Sequence, residues 1–276
     1  MVLTGMVLAA PQITDGEFRD LRAWIYRQAG IHLSDQKKAL VCGRLAPRMR
    51  HYRLSRFADY FRLLQDEGHP GEPQVAVDLL TTNETHFFRE PRHFDFVREQ
   101  VVPAHRASGK PLRVWSAACS SGEEPYSIGM VLASAMGGVP WDVLASDLST
   151  RVLERARTAH YPMARAKAIP REHLLAHCLK GTGAHDGTFI VGPEVTGRVR
   201  FMQLNLNEPL PRLGEFDLVF LRNVMIYFDA PTKQQVVQRI VACLRPGGHL
   251  VIGHSESLAM LACGLRPLAP SIYRKP

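Results

Sequence analysis

The stretch "LRVWSAACSSGEEPYSIGM", Leu112 to Met130, decides the fold. A short apolar run, "LRVW", meets a turn with one glycine, Gly122, and then a helical apolar run from Tyr126. Strand, tight turn and helix form the opening unit of an open α/β sheet, where ligands lie outside the carboxyl ends of the strands. This turn carries neither G-x-G-x-x-G nor G-x-x-x-x-G-K-[ST]. It ends instead on two carboxylates, Glu123 and Glu124, which would repel a pyrophosphate seated at the helix N-terminus. NAD and ATP are therefore poor ligands for it. A cationic nucleoside such as S-adenosylmethionine, with its sulfonium and ammonium, suits the charge.

Working outward, "WDVLASD", "VRFMQL", "FDLVFLRN" and "HLVIGHSE" are further short apolar runs rich in Val, Leu, Phe and Ile. The helical stretches "PYSIGMVLASAM", "TRVLERARTA" and "PTKQQVVQRIVACLRPGG" lie between most of them. Such alternation predicts an α/β domain with a mainly parallel sheet covered on both faces. Residues 161–197 break the alternation with "GTGAHDGTFIVGPEVTG", expected as a small β insertion made of turns and a hairpin.

Upstream, residues 12–82 read as a small all-helical domain. Phe18, Leu21, Trp24 and Ile25 share one helix face, which ends at Gly30. A second helix is expected from Ser34, with Asp35 in its first turn. A third is expected over "SRFADYFRLLQDEG", opened by Ser55 and closed by Gly68, and a fourth over "EPQVAVDLLTTNET". Residues 83–95 read as a linker and 96–276 as the α/β domain.

The 276 residues carry a formal net charge of +8, so nucleic acid, anionic lipid or an acidic protein face could all be partners on charge alone. No run of 18 apolar residues occurs, so no membrane insertion is expected. The opening "MVLTGMVLAAPQ" lacks a basic stretch and reads as an unstructured start, not a signal peptide. Five cysteines form no C-x-x-C pair and no H-E-x-x-H occurs, so the spacing offers neither a disulfide framework nor a metal site. Free thiols fit a reducing cytoplasm.

At the strand ends the candidates are Glu123, Asp147, Asn205 and the pair Arg222–Asn223. Asp147 stands 25 residues after Gly122, where an acidic residue accepts hydrogen bonds from ribose hydroxyls. It could equally cap the next helix, but Ser149 is available for that role. Glu124 has capping-box spacing from Ser121, or is itself the cap before Pro125. Either way it is expected to be structural, which leaves Glu123 as the ligand carboxylate.

The segments "TTNETHFFRE", "RVWSAACSSGEEPYSI", "ASDLS", "RNVMIYFD" and "LRPGGHLVIGHSES" together resemble the CheR-type chemoreceptor methyltransferases, from about Gln12 to Tyr273. The resemblance implies a Rossmann-like S-adenosylmethionine-dependent methyltransferase domain behind a helical receptor-recognition domain. It implies methyl transfer to glutamate side chains of bacterial chemoreceptors; a monomer is the default expectation. It also implies site roles. Asn83, Thr85 and Arg89 would close over the cofactor, while Glu123 and Asp147 hold its polar groups. Asn205 and Leu206 would flank the adenine. Arg222, Asn223 and Val224 would line the methionine side, and Tyr227 would face the methyl group. Arg89 and Tyr227 would align the incoming carboxylate. A glutamate side chain ordinarily titrates at about pH 4.3, so at neutral pH it is already a nucleophile and no general base is required.

Between Lys37 and Arg56 lie seven basic residues and no acidic one. Lys37, Arg44 and Arg48 fall within about 40° of one another on a helix. No stacking aromatics are regularly interleaved, which disfavours nucleic acid. The resemblance implies that Lys37, Lys38, Arg44, Arg48 and Arg53 dock on the receptor's acidic methylation helices. Pro47 is expected to kink or split that helix. The insertion would, in some relatives, grip a receptor C-terminal peptide. Two alternatives stand beside this reading: a methyltransferase of another substrate, and a cofactor-binding regulator without turnover.

Overall fold

The computed structural model describes residues 12–276, so the expectation for the opening stretch lies outside the described residues. The chain divides into two compact units, Met1–Thr82 and Asn83–Pro276.

In the first unit, α1 (Asp15–Ala29) starts at a capping box between Thr14 and Glu17 and stops at Gly30, whose φ of 68° is left-handed. A single 3-10 turn, Asp35–Lys37, leads into α2 (Lys38–His51). Helices α3 (Phe57–Leu63) and α4 (Glu72–Leu80) complete the unit. Leu21, Ile25, Val41, Leu45, Met49, Phe57 and Tyr60 are fully buried at its centre. Two expectations are corrected. Pro47 does not split helix α2, since Pro47 and Gly43, whose carbonyl loses its partner, both lie on the exposed side where water can replace the bond. Helix α3 begins after Arg56 and not Ser55, and ends before Gly68, which lies in the following turn.

The second unit opens with α5 (Arg92–Phe96), a π-helical turn at Val97–Val101 and α6 (Val102–Ser108). The order continues β1 (Leu112–Ser116), α7 (Glu123–Ala135), β2 (Trp141–Asp147), α8 (Thr150–Thr158) and β3 (His160–Pro162). Then come α9 (Arg171–His177), β4 (Cys178–Lys180), β5 (Thr188–Val191), α10 (Pro193–Thr196) and β6 (Val199–Gln203). The chain closes with β7 (Phe216–Leu221), α11 (Ala230–Ala242), β8 (Leu244–Ile252), β9 (Arg266–Ala269) and β10 (Ile272–Arg274). Residues 83–95, expected as a linker, fall within this unit, and Phe87, Phe88 and Phe94 are buried in its core.

The large sheet has the order β6-β2-β1-β7-β8-β10-β9. Its first five strands are parallel; β10 pairs antiparallel with β8, and β9 antiparallel with β10. Side chains alternate between its faces with the strand period of two. Val114, Val143, Phe220 and Val251 pack into one apolar cluster, and Trp115, Leu144, Leu221 and Ile252 into the other. The insertion forms a separate antiparallel sheet, β3-β5-β4. From β1 the chain proceeds to β2 and β6 on one side, then returns to β7 and β8 on the other. The order therefore reverses between β1 and β7, which opens a crevice at their carboxyl ends.

Candidate functional site

The turn after β1 is pinned from both sides of that crevice. The N–H of Ala117 donates to the carbonyl of Phe220 on β7 at 2.9 Å, and that of Cys119 to Ser146 on β2 at 2.9 Å. The N–H of Ser120, at a left-handed φ of 48°, donates to Asp147 Oδ2 at 2.8 Å. Gly122, at φ 96°, is the cap of α7. A Cβ there would lie 2.8 Å from Tyr161 Oη and 3.0 Å from Ala156 Cβ. Tyr161 cannot easily yield, because its hydroxyl donates to the Ser121 carbonyl at 2.7 Å. The glycine thus serves close packing of the turn on α8 and β3 as well as its own backbone angle.

The two glutamates have different partners, and the expected helix cap is not among them. Helix α7 starts at Glu123, and no side chain caps it. The capping-box register of Ser121 and Glu124 does not form. Glu124 instead accepts hydrogen bonds from Ser116 Oγ at 2.7 Å and from Arg222 Nη1 at 2.8 Å. Glu123 is 1% exposed, accepts from Ser121 Oγ at 2.7 Å, and meets Arg165 at 3.2 Å. Burial pushes its carboxyl above the usual carboxylate range, against the pull of those partners. Arg165 also donates to the Thr85 carbonyl at 2.5 Å, which ties the segment after residue 82 to the head of α7.

Asp147 lies at the end of β2 as expected, but it is not left aside by the next helix. Its Oδ1 accepts the N–H of Ser149 at 2.9 Å and its Oδ2 that of Ser120. Ser149 occupies the cap position of α8 without a side-chain cap bond, and its buried Oγ has no partner among the described residues. Asp147 therefore joins two turns while facing the crevice. Ser120 Oγ extends the chain of contacts to the Asn83 carbonyl at 2.9 Å.

Arg222 requires a correction. Its guanidinium is buried and turned inward, paired with Glu124 at 2.8 Å and Glu90 at 3.1 Å, and it donates to the Arg89 carbonyl. The Phe94 and Phe220 rings lie against it, each with its centroid 5.9 Å away. Its charge is consumed inside the protein, so its side chain is a frame for the crevice and not a lining group. Burial alone would raise the Glu90 carboxyl, but the Arg222 charge and hydrogen bonds from Arg222, Asn223 and the His254 N–H hold it below the usual range. Beside it, burial and the Arg222 charge push the His93 imidazole down to about 3, so it is neutral.

The loop after β7 is held by a residue to which the sequence assigns no evident role. Glu256 accepts the N–H of Asn223 at 2.9 Å, of Met225 at 2.8 Å and of Gly253 at 2.8 Å. That clamp keeps Asn223 at a left-handed φ of 56° and sets the 3-10 turn Met225–Tyr227 that carries Tyr227. Gly253 is obligatory, because a Cβ would lie 2.6 Å from Asn223 Nδ2 and 3.0 Å from Asn223 N. An acidic residue in "GHSES" was the available signal. Val224, Tyr227 and Leu206 pack with the second apolar cluster. Asn205 bonds locally, to the Asn207 N–H at 3.0 Å and to Glu208 at 3.0 Å. Contacts thus join Asn83, Thr85, the Arg89 backbone, Glu123, Asp147, Arg222 and Asn223 around the crevice. Among the described residues, Arg89's own side chain hydrogen-bonds only the Glu84 carbonyl, at 3.1 Å.

In the helical unit the basic stripe is narrower than expected. Arg44 donates to the Leu80 and Thr81 carbonyls at 2.7 and 3.1 Å and so closes the end of α4. Arg48 pairs with buried Glu72, which also accepts from Tyr60 at 2.7 Å and Tyr52 at 3.0 Å. Burial alone would raise the Glu72 carboxyl, but these donors bring it below its ordinary value. Lys38 pairs with Asp15 at 2.7 Å. Lys37, Arg50 and Arg53 remain as exposed cations of this segment, but Lys37 lies in the 3-10 turn before α2 and Arg53 beyond its end, so they form no single stripe.

Two family models match the chain. Residues 16–81 match the one described as "CheR methyltransferase, all-alpha domain", and residues 83–265 the one described as "CheR methyltransferase, SAM binding domain". The chain is 44% identical over 254 residues to the chemotaxis protein methyltransferase of Escherichia coli (strain K12), covering 90% of this chain and 87% of that one. It is 43% identical over 267 residues to chemotaxis protein methyltransferase 2 of Pseudomonas aeruginosa, covering 94% and 93%.

Proposed function

The chain belongs to the CheR methyltransferase family, and on that premise we propose how its own residues carry the reaction. It is an enzyme that transfers a methyl group from S-adenosylmethionine to glutamate side chains of chemoreceptors. The cofactor supplies an electrophilic methyl on a positively charged sulfur. The donor set fits it: a buried carboxylate at the head of α7, a second at the end of β2, and no phosphate loop between them. Glu123 carries this reading. It is almost fully buried, and its one cation within ion-pair distance among the described residues is the half-exposed Arg165, which can give way to a cationic ligand.

In this reading Glu123 meets the cofactor's cationic charge and Asp147, oriented by two backbone N–H groups, meets the ribose. Asn205 and Leu206 flank the base. Asn83, Thr85, Asn223 and Val224 shape the remaining wall, with Arg222 behind it. Arg89 orients the incoming carboxylate and Tyr227 positions it against the methyl group. The residues' task is alignment, which can be worth about 7–11 kcal/mol at best. Replacement of Arg89 by Ala should lower the methylation rate, and an unchanged rate would remove it from the site.

The finer partner is the acidic face of the receptor's methylation helices, met by Lys37, Arg50 and Arg53. A second contact is a receptor tail peptide at the small sheet. There Leu179 on edge strand β4 is 60% exposed and lines a groove of about 420 Å³ with His160, Thr188 and Ile190, which supports strand addition. Titration calorimetry with tail peptides tests it. The same reading makes the protein a cytoplasmic monomer. Incubation with tritiated S-adenosylmethionine and receptor-rich membranes should yield base-labile methyl esters on the receptor. Base-stable label or none would overturn the assignment.

A further inference from the structure

Behind Arg222, three potential metal donors converge from segments far apart in sequence. Glu90 comes from the turn before α5, His93 from α5 itself, and His254 from the loop after β8. One donor atom from each lies within 4.8 Å of the others. His93 Nδ1 stands 3.4 Å from Glu90 Oε2, and His254 Nε2 stands 4.0 Å from the same oxygen. Donors about 2.0–2.1 Å from a shared tetrahedral centre lie roughly 3.4 Å apart, so the first pair is already at ligand spacing and the second needs only a small ring movement.

Two further observations point to a cation. The His93 side chain is 1% exposed, yet its Nδ1 has no hydrogen-bond partner among the described residues, while its other nitrogen is held by Ser271 Oγ at 2.9 Å. A buried nitrogen so oriented is a fixed donor with an unused lone pair or proton. The charges also fail to cancel. One guanidinium, Arg222, faces two carboxylates, Glu90 and Glu124, which leaves one negative charge at this place. Glu124 meets Arg222 through the other guanidinium nitrogen, so Arg222 keeps a partner if Glu90 turns to a metal. His254 is 48% exposed and supplies the route from solvent.

We propose that Glu90, His93 and His254 form a binding site for a divalent transition-metal ion of the zinc class, with two imidazoles, one carboxylate and one position open to solvent. That donor set is the one such ions select over calcium or magnesium. A bound ion ties the start of α5 and the turn before it to the loop after β8, the two segments that frame Asn223 through Glu90 and Glu256.

The test is Zn²⁺ uptake by the tag-free full-length protein, measured by competition with a chromogenic chelator. Wild-type protein should bind one equivalent of Zn²⁺. Loss of an outer-shell partner alone typically costs about 10–100-fold in metal affinity, so His254→Ala, which removes a ligand, should cost at least about tenfold. His160→Ala, outside the cluster, should change nothing. Substitution at half-exposed His254 leaves the core intact, and a visible spectrum of tetrahedral Co²⁺ in wild type, absent in His254→Gln, gives a second readout. Absence of a stoichiometric equivalent, or equal affinity in wild type and His254→Ala, overturns the site.

Discussion

Each unit of the molecule buries a glutamate against an arginine, and the two networks end differently. In the helical unit, Glu72 takes Arg48, Tyr52 and Tyr60, and its carboxyl is held below its ordinary value. In the α/β unit, the network around Arg222 stays open. Arg222 Nε and His93 Nδ1 have no partner among the described residues, and nearby Glu123 is pushed above the carboxylate range. A closed network of this kind stabilises a fold. An open one retains charge and polar atoms that a ligand can meet.

The largest expected effect separates frame from ligand group. Arg222→Ala strands Glu124 and Glu90 with no cation, and should cost about 3–5 kcal/mol of stability in urea denaturation of the α/β unit. Next, Glu72→Ala leaves Arg48 without its carboxylate in a partly exposed setting and should cost about 3 kcal/mol, the low end for a broken buried pair, while cofactor affinity is unchanged. If cofactor affinity fell as well, the helical network would not be purely structural. The smallest effect is at the surface. Lys37→Glu with Arg50→Glu should raise the KM for receptor by about two- to thirtyfold, as exposed pairs are worth about 0.2–1 kcal/mol each. The same change at Arg44 or Arg48 should appear as lost stability.

What could be read ahead of the structure follows from what a linear sequence encodes. The five parallel strands and the helices between them were legible because each is a contiguous apolar run of the right length. Strands β9 and β10 were not, since Arg266, Pro267 and an exposed face give no alternation. That Glu123 and Glu124 stand at the head of a helix was legible from Pro125 and the apolar run that follows. The partner of Glu124 was not, because Arg222 lies 98 residues away. Arg44 and Arg48 share a helical stripe in projection, yet their partners sit 24 or more residues downstream and draw both side chains inward. Glu256 clamps a loop 33 residues before it, and the Glu90–His93–His254 cluster spans the whole domain, beyond the reach of any spacing rule.

Acid titration sets the two glutamates against each other. Glu72 has a lowered pKa, so its stabilisation is complete above the ordinary carboxylate range and is lost as pH falls through the lowered value. Glu123 has a raised pKa. Its protonation begins at higher pH, slightly favours the fold, and removes the charge that the cofactor needs. The decisive measurement is therefore S-adenosylmethionine affinity by titration calorimetry, from pH 8 down to about 5, for wild type and Glu123→Gln. Wild type should lose affinity on acidification above the usual carboxylate range while remaining folded. Glu123→Gln should bind about 10-fold or more weakly at pH 8, as expected for a lost charge-assisted hydrogen bond, with no further acid dependence from this residue. Equal affinity of the two proteins at pH 8 would contradict the assignment of Glu123 to the cofactor's cationic charge.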